Sequence, residues 1–202
     1  MGKISTRAAK RSEIMKIGAK LFKEVGYESA TVDEIAKRAN MDRATLYYYF
    51  KGKQELFRDM VNVATANNVA AAEDIAALVE APDIKLRKLI EALFDSYQQH
   101  YPYLFVYLEQ DISRLTLDQS AWSSEILDLN DRFNKAVVSI IREGRLAGIF
   151  ASQGSDKIIA AGILGMCNWS HRWFTPEGSM KASDIASVFA DMVLSGICRP
   201  RA

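Results

Sequence analysis

Residues 31–50 read TVDEIAKRANMDRATLYYYF, and this stretch decides the fold. Thr31, followed three residues later by Glu34, forms a capping box. The Thr31 hydroxyl can accept from the backbone N–H of Glu34, and the Glu34 carboxylate can reach back to the N–H of Thr31. A short helix should follow this box and end in a tight turn. Asp42 can then cap a second short helix over residues 43–49.

Two short helices joined by such a turn are typical of a helix-turn-helix, whose second helix enters a major groove of DNA. Leu46 and Phe50 are four residues apart and should pack inward against the preceding helix. Arg43 can donate two hydrogen bonds to a guanine, while Ala44 and Thr45 can touch a thymine methyl. The residues expected to face solvent or DNA are Arg43, Ala44, Thr45, Tyr47 and Tyr48.

Three consecutive tyrosines cannot all be core residues, because successive helical positions point about 100° apart. We expect Tyr47 and Tyr48 to contact phosphate or sugar, whereas Tyr49 fits the domain core equally well. Lys53 begins the next helix, where its ammonium, free backbone N–H groups and the helix dipole favour a phosphate. Four upstream cations form either an arm along the DNA backbone or a solvated face: Lys3, Arg7, Lys10 and Arg11.

This segment closely resembles the DNA-binding domain of the TetR (tetracycline-repressor) family. The resemblance rests on Thr31 to Ala36, Ala39, Ala44 to Phe50, Lys53 and Leu56. Asn40 stands where many members have glycine in the turn, and asparagine tolerates the left-handed conformation required there. The resemblance implies contacts to DNA from Thr31, Arg43, Ala44, Thr45, Tyr47, Tyr48, Tyr49 and Lys53.

Charge is distributed unevenly along the 202 residues, although the net charge is only +1. Residues 1–60 hold thirteen Lys and Arg against eight Asp and Glu, whereas residues 61–202 hold thirteen against seventeen. A basic N-terminal segment on an acidic body indicates a polyanion partner. No run of eighteen apolar residues predicts a membrane span, and residues 1–10 are too charged for a signal peptide. We therefore expect a cytoplasmic protein.

The whole chain predicts an all-α fold of about nine helices, with residues 1–52 as the helix-turn-helix domain and residues 53–202 as a helical ligand-binding and dimerisation domain. The eighth helix should run from Ser155 to about Trp173 and the ninth from Ser183 to Gly196. We expect these two helices of each subunit to form a four-helix bundle in a homodimer. Candidate contacts, each of which could instead be internal core, are Ile158, Gly162, Ile163, Gly165, Met166, Val188, Met192 and Leu194.

The second domain is rich in aromatic residues, which suits an apolar ligand among the fifth to eighth helices. Arg172 lies one turn from Trp169, so a cation and an indole can share a face; a salt bridge is the alternative for Arg172. Residues 168–178 and 189–196 resemble the C-terminal signature of a TetR subgroup, several members of which respond to acyl-CoA thioesters. The predicted effector is a bulky hydrophobic acid or its acyl-CoA. The candidate ligand residues are Phe94, Tyr97, Tyr101, Phe105, Trp122, Phe133, Trp169, Arg172 and Trp173.

Catalytic signatures are absent from the sequence. His100 and His171 have no metal-site spacing, Cys167 and Cys198 belong to no CxxC, and there is no GxSxG, Walker A or GxGxxG motif. No catalytic residue, metal or cofactor is therefore predicted. The sequence predicts a repressor released from a palindromic operator by its effector. The alternatives are a TetR repressor that senses diverse hydrophobic compounds, a ligand-independent DNA-binding protein, and a small-molecule carrier or enzyme that retains a helix-turn-helix.

Overall fold

The computed structural model describes residues 6–109, 121–151 and 154–198. Within these ranges the chain forms nine α-helices and one short 3-10 helix, and the only strand-like pairing is a single bridge between Phe150 and Cys198. The all-α prediction is therefore confirmed. The helices are α1 (Thr6–Val25), α2 (Val32–Arg38), α3 (Arg43–Tyr49), α4 (Lys53–Ala77), α5 (Pro82–Gln99), α6 (Tyr103–Glu109), α7 (Ala121–Leu146), α8 (Asp156–Asn168), the 3-10 helix (Trp169–Arg172) and α9 (Ala182–Ile197).

Local signals set the start of the helix-turn-helix. Helix α1 ends before Gly26, whose φ of 82° is in the left-handed region that glycine adopts without strain. The Thr31 hydroxyl accepts from the N–H of Glu34 at 3.2 Å, as predicted. The Glu34 carboxylate accepts from Arg38 at 3.2 Å one turn further along α2. The half of the predicted capping box that uses the Thr31 hydroxyl is thus formed. The Glu34 carboxylate instead forms an ion pair with Arg38 on the same helix.

The turn between α2 and α3 also follows the sequence. Asn40 adopts a φ of 52°, the left-handed conformation expected of it. Asp42 caps α3 by accepting from the N–H of Thr45 at 2.6 Å, and this hydrogen bond lowers the pKa of the Asp42 carboxyl. Leu46 and Phe50 are each 1% exposed, so the inner face of α3 is the predicted one.

The described part of the molecule has two hydrophobic cores, and α4 contributes residues to both. Its first turns pack with α1, α2 and α3 in the N-terminal core, whereas its residues from Ala64 onward pack with α5, α7, α8 and α9. The N-terminal core also takes side chains from outside the predicted 1–52 domain. These side chains are Leu56, Phe57, Met60, Val61, Tyr103, Val106, Tyr107 and Ile126.

A buried lysine ties three helices of the C-terminal core together. Lys85 of α5 is 4% exposed, and its Nζ donates to the carbonyl of Ala76 at 3.1 Å and to Glu143 at 2.8 Å. Such partners are needed because a buried charge without them is costly. The end of α4, the start of α5 and the last turns of α7 are thereby held together.

The eighth helix is shorter than predicted. Regular α-helix stops at Asn168, and a 3-10 turn carries the chain through Arg172. The Ser170 carbonyl accepts from the N–H groups of Trp173 and Phe174, and the Phe174 side chain is 2% exposed. The chain thus leaves the regular α-helix at Asn168 and then buries Phe174, which periodicity alone does not reveal. Among the described residues, none of the helices is both long and apolar enough to span a membrane.

Candidate nucleic-acid interface and internal cavity

The outer face of α3 is open to solvent. Tyr47 is 41% exposed, Tyr48 is 64% exposed, and the Arg43 side chain is 60% exposed. Ala44, Thr45 and the capping residue Thr31 are exposed as well. The residues predicted from helical geometry to point outward therefore share one accessible face.

Arg43 is oriented by two neighbours. Its guanidinium donates to Asp33 at 3.2 Å and to the Tyr47 hydroxyl at 3.3 Å, and it lies over the Tyr47 ring at 5.5 Å. The hydrogen bond to Tyr47 and the charge of Asp33 raise the pKa of Arg43. Exposed ion pairs of this kind contribute about 0–1 kcal/mol. A guanine edge can therefore replace Asp33 as a partner at little cost.

Arg11 of α1 contacts the C-terminal end of α3. It donates to the backbone carbonyl of Tyr49 and pairs with Asp59 of α4, while its guanidinium lies over the Phe50 ring at 4.1 Å. Its side chain is 26% exposed. Arg11 thus joins α1, α3 and α4, so it forms neither a free arm nor a merely solvated face.

The other arm candidates have different surroundings. Arg7 lies over the Tyr48 ring at 5.1 Å, next to the open face of α3. Lys10 pairs with Glu13 at 2.9 Å on α1. Lys3 lies outside the described residues. Of the predicted arm, Arg7 is the described cation that contacts the outer face of α3.

Lys53 begins α4, as expected, and its side chain binds backbone carbonyls of the preceding turn. Its Nζ donates to three backbone carbonyls, those of Tyr27 at 2.8 Å, Glu28 at 2.9 Å and Ala30 at 3.1 Å. It also lies over the Tyr27 ring at 4.7 Å. An ammonium has three N–H donors, so this set uses all of them. Lys53 holds the turn between α1 and α2, and its predicted contact with a phosphate stays a prediction.

A cavity of about 90 Å³ lies between α4, α5, α6, α7 and the end of α8. Two hydrogen bonds brace its wall: the Tyr97 hydroxyl donates to Asn168 at 2.6 Å, and the Asn130 amide donates to the Tyr107 hydroxyl at 2.9 Å. Burial raises the pKa of both phenols, so they stay neutral. The described lining is uncharged and consists of Thr65, Asn68, Leu93, Tyr97, Leu104, Tyr107, Leu108, Asn130, Phe133 and Asn168.

Apolar side chains are exposed on both α8 and α9. Ile158 is 70% exposed, Val188 56% and Met192 59%. A Cβ built at Gly162 or Gly165 meets nothing within 4 Å. Both helices therefore carry exposed apolar positions, and within the described part of one protomer the space beside Gly162 and Gly165 is open.

Comparison with known proteins assigns the family. Residues 14–60 match the model of bacterial regulatory proteins of the tetR family. Residues 79–197, more than half of the chain, match the C-terminal domain of tetracyclin repressor-like proteins. The chain belongs to the TetR family.

A named transcriptional regulator of the TetR family matches this chain over nearly the full length of both proteins. The HTH-type transcriptional repressor KstR2 of Mycobacterium tuberculosis is 26% identical over 198 residues, which cover 98% of this chain and 96% of KstR2. Its solved structure, described as a ketosteroid transcriptional regulator, matches with a TM-score of 0.87 at 25% identity and covers 98% of each chain.

Two further solved structures share the fold. PfmR of Thermus thermophilus matches with a TM-score of 0.80 at 29% identity, over 92% of this chain and 99% of PfmR. AibR in complex with isovaleryl coenzyme A and operator DNA matches with a TM-score of 0.75 at 18% identity, over 91% of this chain and 97% of AibR. This TetR protein is accordingly a DNA-binding transcriptional regulator and not an enzyme.

The predicted ligand residues of this TetR protein do not form one group. Tyr97 and Phe133 line the cavity. Phe94 is fully buried and meets Tyr97 edge-on at 5.4 Å, so it is a core residue behind the cavity wall. The side chain of Phe105 lies outside the described part of α6.

Two of the aromatics lie at the joint between the cores and not at the cavity. The Trp122 indole donates to Asn62 of α4 at 2.8 Å and packs against Phe57 at 6.3 Å between ring centres. Tyr101, which follows α5, contacts Lys23 of α1 through its hydroxyl and its ring. Trp122 and Tyr101 are not among the described residues that line the cavity, and each meets a partner from the N-terminal core. Their contact with a ligand stays a prediction.

The last three candidates lie on the surface. Trp169 is 59% exposed and Trp173 is 41% exposed. The Arg172 guanidinium stacks over the Trp169 ring at 4.8 Å, so the predicted shared face of a cation and an indole is present. Trp169 directly follows Asn168, whose side chain lines the cavity. The stacked pair therefore lies one residue along the chain from the cavity wall.

The sequence reasoning missed the polar part of the lining. Thr65 and Asn68 come from α4, which was assigned no ligand contact, and Asn130 and Asn168 come from α7 and α8. Thr65 and Asn68 are three residues apart, the spacing of one helix face. Buried Ala64 and Val69 flank this pair, and polar residues within such an inward stripe were the available signal.

Proposed function

We propose that this protein is a cytoplasmic repressor that binds a palindromic operator as a homodimer and releases it when a hydrophobic acid or its acyl-CoA thioester binds. The observation that carries the proposal is the open outer face of α3 on a complete helix-turn-helix. KstR2, a relative of nearly equal length, is named a transcriptional repressor, which supports the direction of regulation.

DNA recognition divides between base and backbone contacts. Arg43 reads a guanine, and Ala44 and Thr45 contact thymine methyls. The phenols of Tyr47 and Tyr48 bind phosphate or sugar, because they are exposed beside these residues. Thr31, Tyr49 and the N-terminus of α4 flank the same backbone, and Lys53 contributes by fixing the turn before α2.

Dimerisation uses the apolar face of α8 and α9. Exposed Ile158, Val188 and Met192 lose their contact with water when two copies pack, and Gly162 lets the helices approach closely. Ile163 lies in the core of its own protomer at 5% exposure and is removed from the predicted contact set. Two recognition helices in one dimer can then read two half-sites of a palindrome.

The effector site joins the internal cavity to the stacked Trp169–Arg172 pair. The uncharged lining suits an apolar group, and a carboxylate or phosphate suits the guanidinium outside. AibR, which shares the fold, was solved with an acyl-CoA and operator DNA together. A volume of about 90 Å³ holds only a small group, so binding must widen the cavity.

Widening the cavity moves the DNA-binding domain through α6. The ring of Tyr107 belongs to the N-terminal core, while its hydroxyl accepts from Asn130 across the cavity. A ligand that separates these two side chains shifts α6 against α1. This change favours a conformation in which the two recognition helices no longer match successive major grooves.

The test measures binding to DNA from the protein's own promoter region by fluorescence anisotropy. We expect acyl-CoAs to release the DNA at lower concentration than the matching free acids, and CoA alone to have no effect. Release by uncharged aromatic compounds only would support a sensor of diverse hydrophobic compounds, which the uncharged cavity also suits. Failure to bind any promoter duplex at low salt would contradict the regulator proposal itself.

A further inference from the structure

The arginine that is proposed to read a base lies between two partners. The Arg43 guanidinium donates from Nη1 to the Asp33 carboxylate of α2 at 3.2 Å and from Nη2 to the Tyr47 hydroxyl of α3 at 3.3 Å. The Arg43 and Asp33 side chains are 60% and 63% exposed, so the pair lies on the accessible side of the helix-turn-helix. A carboxylate is therefore placed beside the reading arginine on a surface that has to approach a polyanion.

The Tyr47 hydroxyl brings a phosphate close to the same guanidinium. It accepts from Arg43, so its own proton is available for donation to a phosphate oxygen. A phosphate bound there lies within reach of Arg43, because both groups contact one hydroxyl. Arginine binds phosphate with two parallel hydrogen bonds, and such a contact carries no sequence information. Arg43 thus has two competing uses on DNA, one on a base and one on the backbone.

Asp33 makes these two uses unequal. A phosphate that binds the guanidinium places a second anion beside the Asp33 carboxylate, and the two anions repel each other. A guanine edge is uncharged and offers the acceptors O6 and N7, so it meets no such repulsion. The carboxylate therefore penalises the backbone contact of Arg43 more than its base contact.

We infer that Asp33 is a specificity-determining residue, which keeps Arg43 from binding phosphates on DNA that lacks the operator sequence. This inference rests on the proposed function, because it takes Arg43 as the base-reading residue. It goes beyond that proposal by assigning a role in recognition to an acidic residue that was not predicted to touch DNA. The role of Asp33 is to weaken binding to the wrong sequence.

The experiment compares two duplexes of equal length and composition. One is enriched by the wild-type protein from a library with a randomised central segment, and the other is a scrambled version of it. Fluorescence anisotropy gives the affinity of the full-length protein for each duplex at several salt concentrations. The scrambled duplex reports phosphate contacts, and the ratio of the two affinities reports specificity.

Asp33→Asn keeps the shape of the side chain and removes its charge. One phosphate contact changes the logarithm of the affinity by about 0.9 for each tenfold change in salt, which is about eightfold between 1 M and 0.1 M. We expect Asp33→Asn to bind the scrambled duplex about eightfold more tightly at 0.1 M salt for each recognition helix engaged, with a salt slope steeper by about one. The selected duplex should gain much less, so the specificity ratio falls.

Two controls separate this effect from a general change of charge. Glu34→Gln removes the same charge from the adjacent position of α2, where the carboxylate pairs with Arg38, and should leave the specificity ratio unchanged. In an Arg43→Ala background Asp33→Asn should no longer alter the ratio, because the guanidinium through which it acts is absent. Both single acidic variants should keep the wild-type melting temperature, since exposed ion pairs contribute little to stability.

Three results would overturn the inference. They are an unchanged ratio in Asp33→Asn, an equal fall in Glu34→Gln, and the same fall when Arg43 is absent. Loss of a cytosine preference in a selection repeated with Asp33→Asn would also count against it, because Asp33 would then read a base itself. Failure of the regulator proposal looks different, since the wild type would then enrich no sequence and bind neither duplex at low salt.

Discussion

Replacing Lys53 with alanine distinguishes a structural role from a phosphate-binding role. The Lys53 ammonium donates to the carbonyls of Tyr27, Glu28 and Ala30, which form the turn between α1 and α2. The substitution removes all three hydrogen bonds and leaves those carbonyls to water. The turn that positions the helix-turn-helix should loosen.

The expected loss of stability follows from these contacts. Hydrogen bonds to a charged group contribute about 1.5–3 kcal/mol each when well buried. Two of the three around Lys53 are only part-buried and the third is exposed, so water compensates for much of their loss. A net cost of about 2 kcal/mol remains. For a chain of this size that lowers the melting temperature by roughly 4–8 °C.

Thermal unfolding at a fixed protomer concentration measures this effect, because the melting temperature of a dimer depends on concentration. Lys51→Ala is the matched control. Lys51 lies two residues before Lys53 and is exposed, and no partner is found for its ammonium among the described residues; its backbone N–H, which donates to Glu55 at 2.7 Å, is kept in the variant. Operator affinity is measured for both variants at several salt concentrations. Lys53→Ala should lose affinity with the salt slope unchanged. An unaltered melting temperature together with a slope lower by about one would refute the structural role, since that is the signature of a lost phosphate contact.

Three further predictions follow from the site. Arg43→Ala should cost about 1–3 kcal/mol of operator binding and relax selection at one base position, which a binding selection on randomised half-sites would detect; unchanged selectivity would remove Arg43 from base recognition. Gly162→Glu should leave the fold intact, because a Cβ at this exposed position meets nothing within 4 Å among the described residues, and should give monomers in sedimentation that bind DNA poorly; a stable dimer would contradict the α8–α9 interface. A thiol reagent at about pH 8 should modify Cys198 and spare Cys167 until the protein is unfolded, because Cys167 is fully buried and burial raises the pKa of its thiol to about 12; rapid modification of both would show that the core opens readily.

The helix-turn-helix was predictable because its determinants are local. The caps Thr31 and Asp42, the left-handed Asn40 and the inward pair Leu46 and Phe50 each act within a few residues of their own position. A sequence pattern reports such short-range chemistry directly. The helix boundaries in this region therefore agree with the structure.

Features that depend on distant partners were not predictable in the same way. The carbonyls that bind Lys53 lie 23 to 26 residues upstream, and the partner of Trp122 lies 60 residues away on α4. A lysine at the start of a helix suits a phosphate site, and a tryptophan in an aromatic-rich domain suits a ligand pocket. Residue type alone therefore gave no sign of the partners that the structure shows. Tertiary packing determines which partners Lys53 and Trp122 have.

The lining of the cavity was also predictable only in part. Two of the aromatics singled out from the sequence, Tyr97 and Phe133, line it, but most aromatics of the domain fill core or joint positions. The polar residues Thr65 and Asn130 were overlooked because polar residues on a long helix usually face solvent. Their inward orientation comes from how α4 and α7 pack on each other.

The shared use of α4 and α6 limits how this regulator can be recombined with others. A hybrid cut at residue 52 would strip Leu56 and Met60 from the core that they complete. A cut beyond residue 62 would still present Val106 and Ile126 of one parent to the core of another. A hybrid that exchanges ligand-binding domains between such regulators thus has to take these core residues from the same parent as its DNA-binding domain.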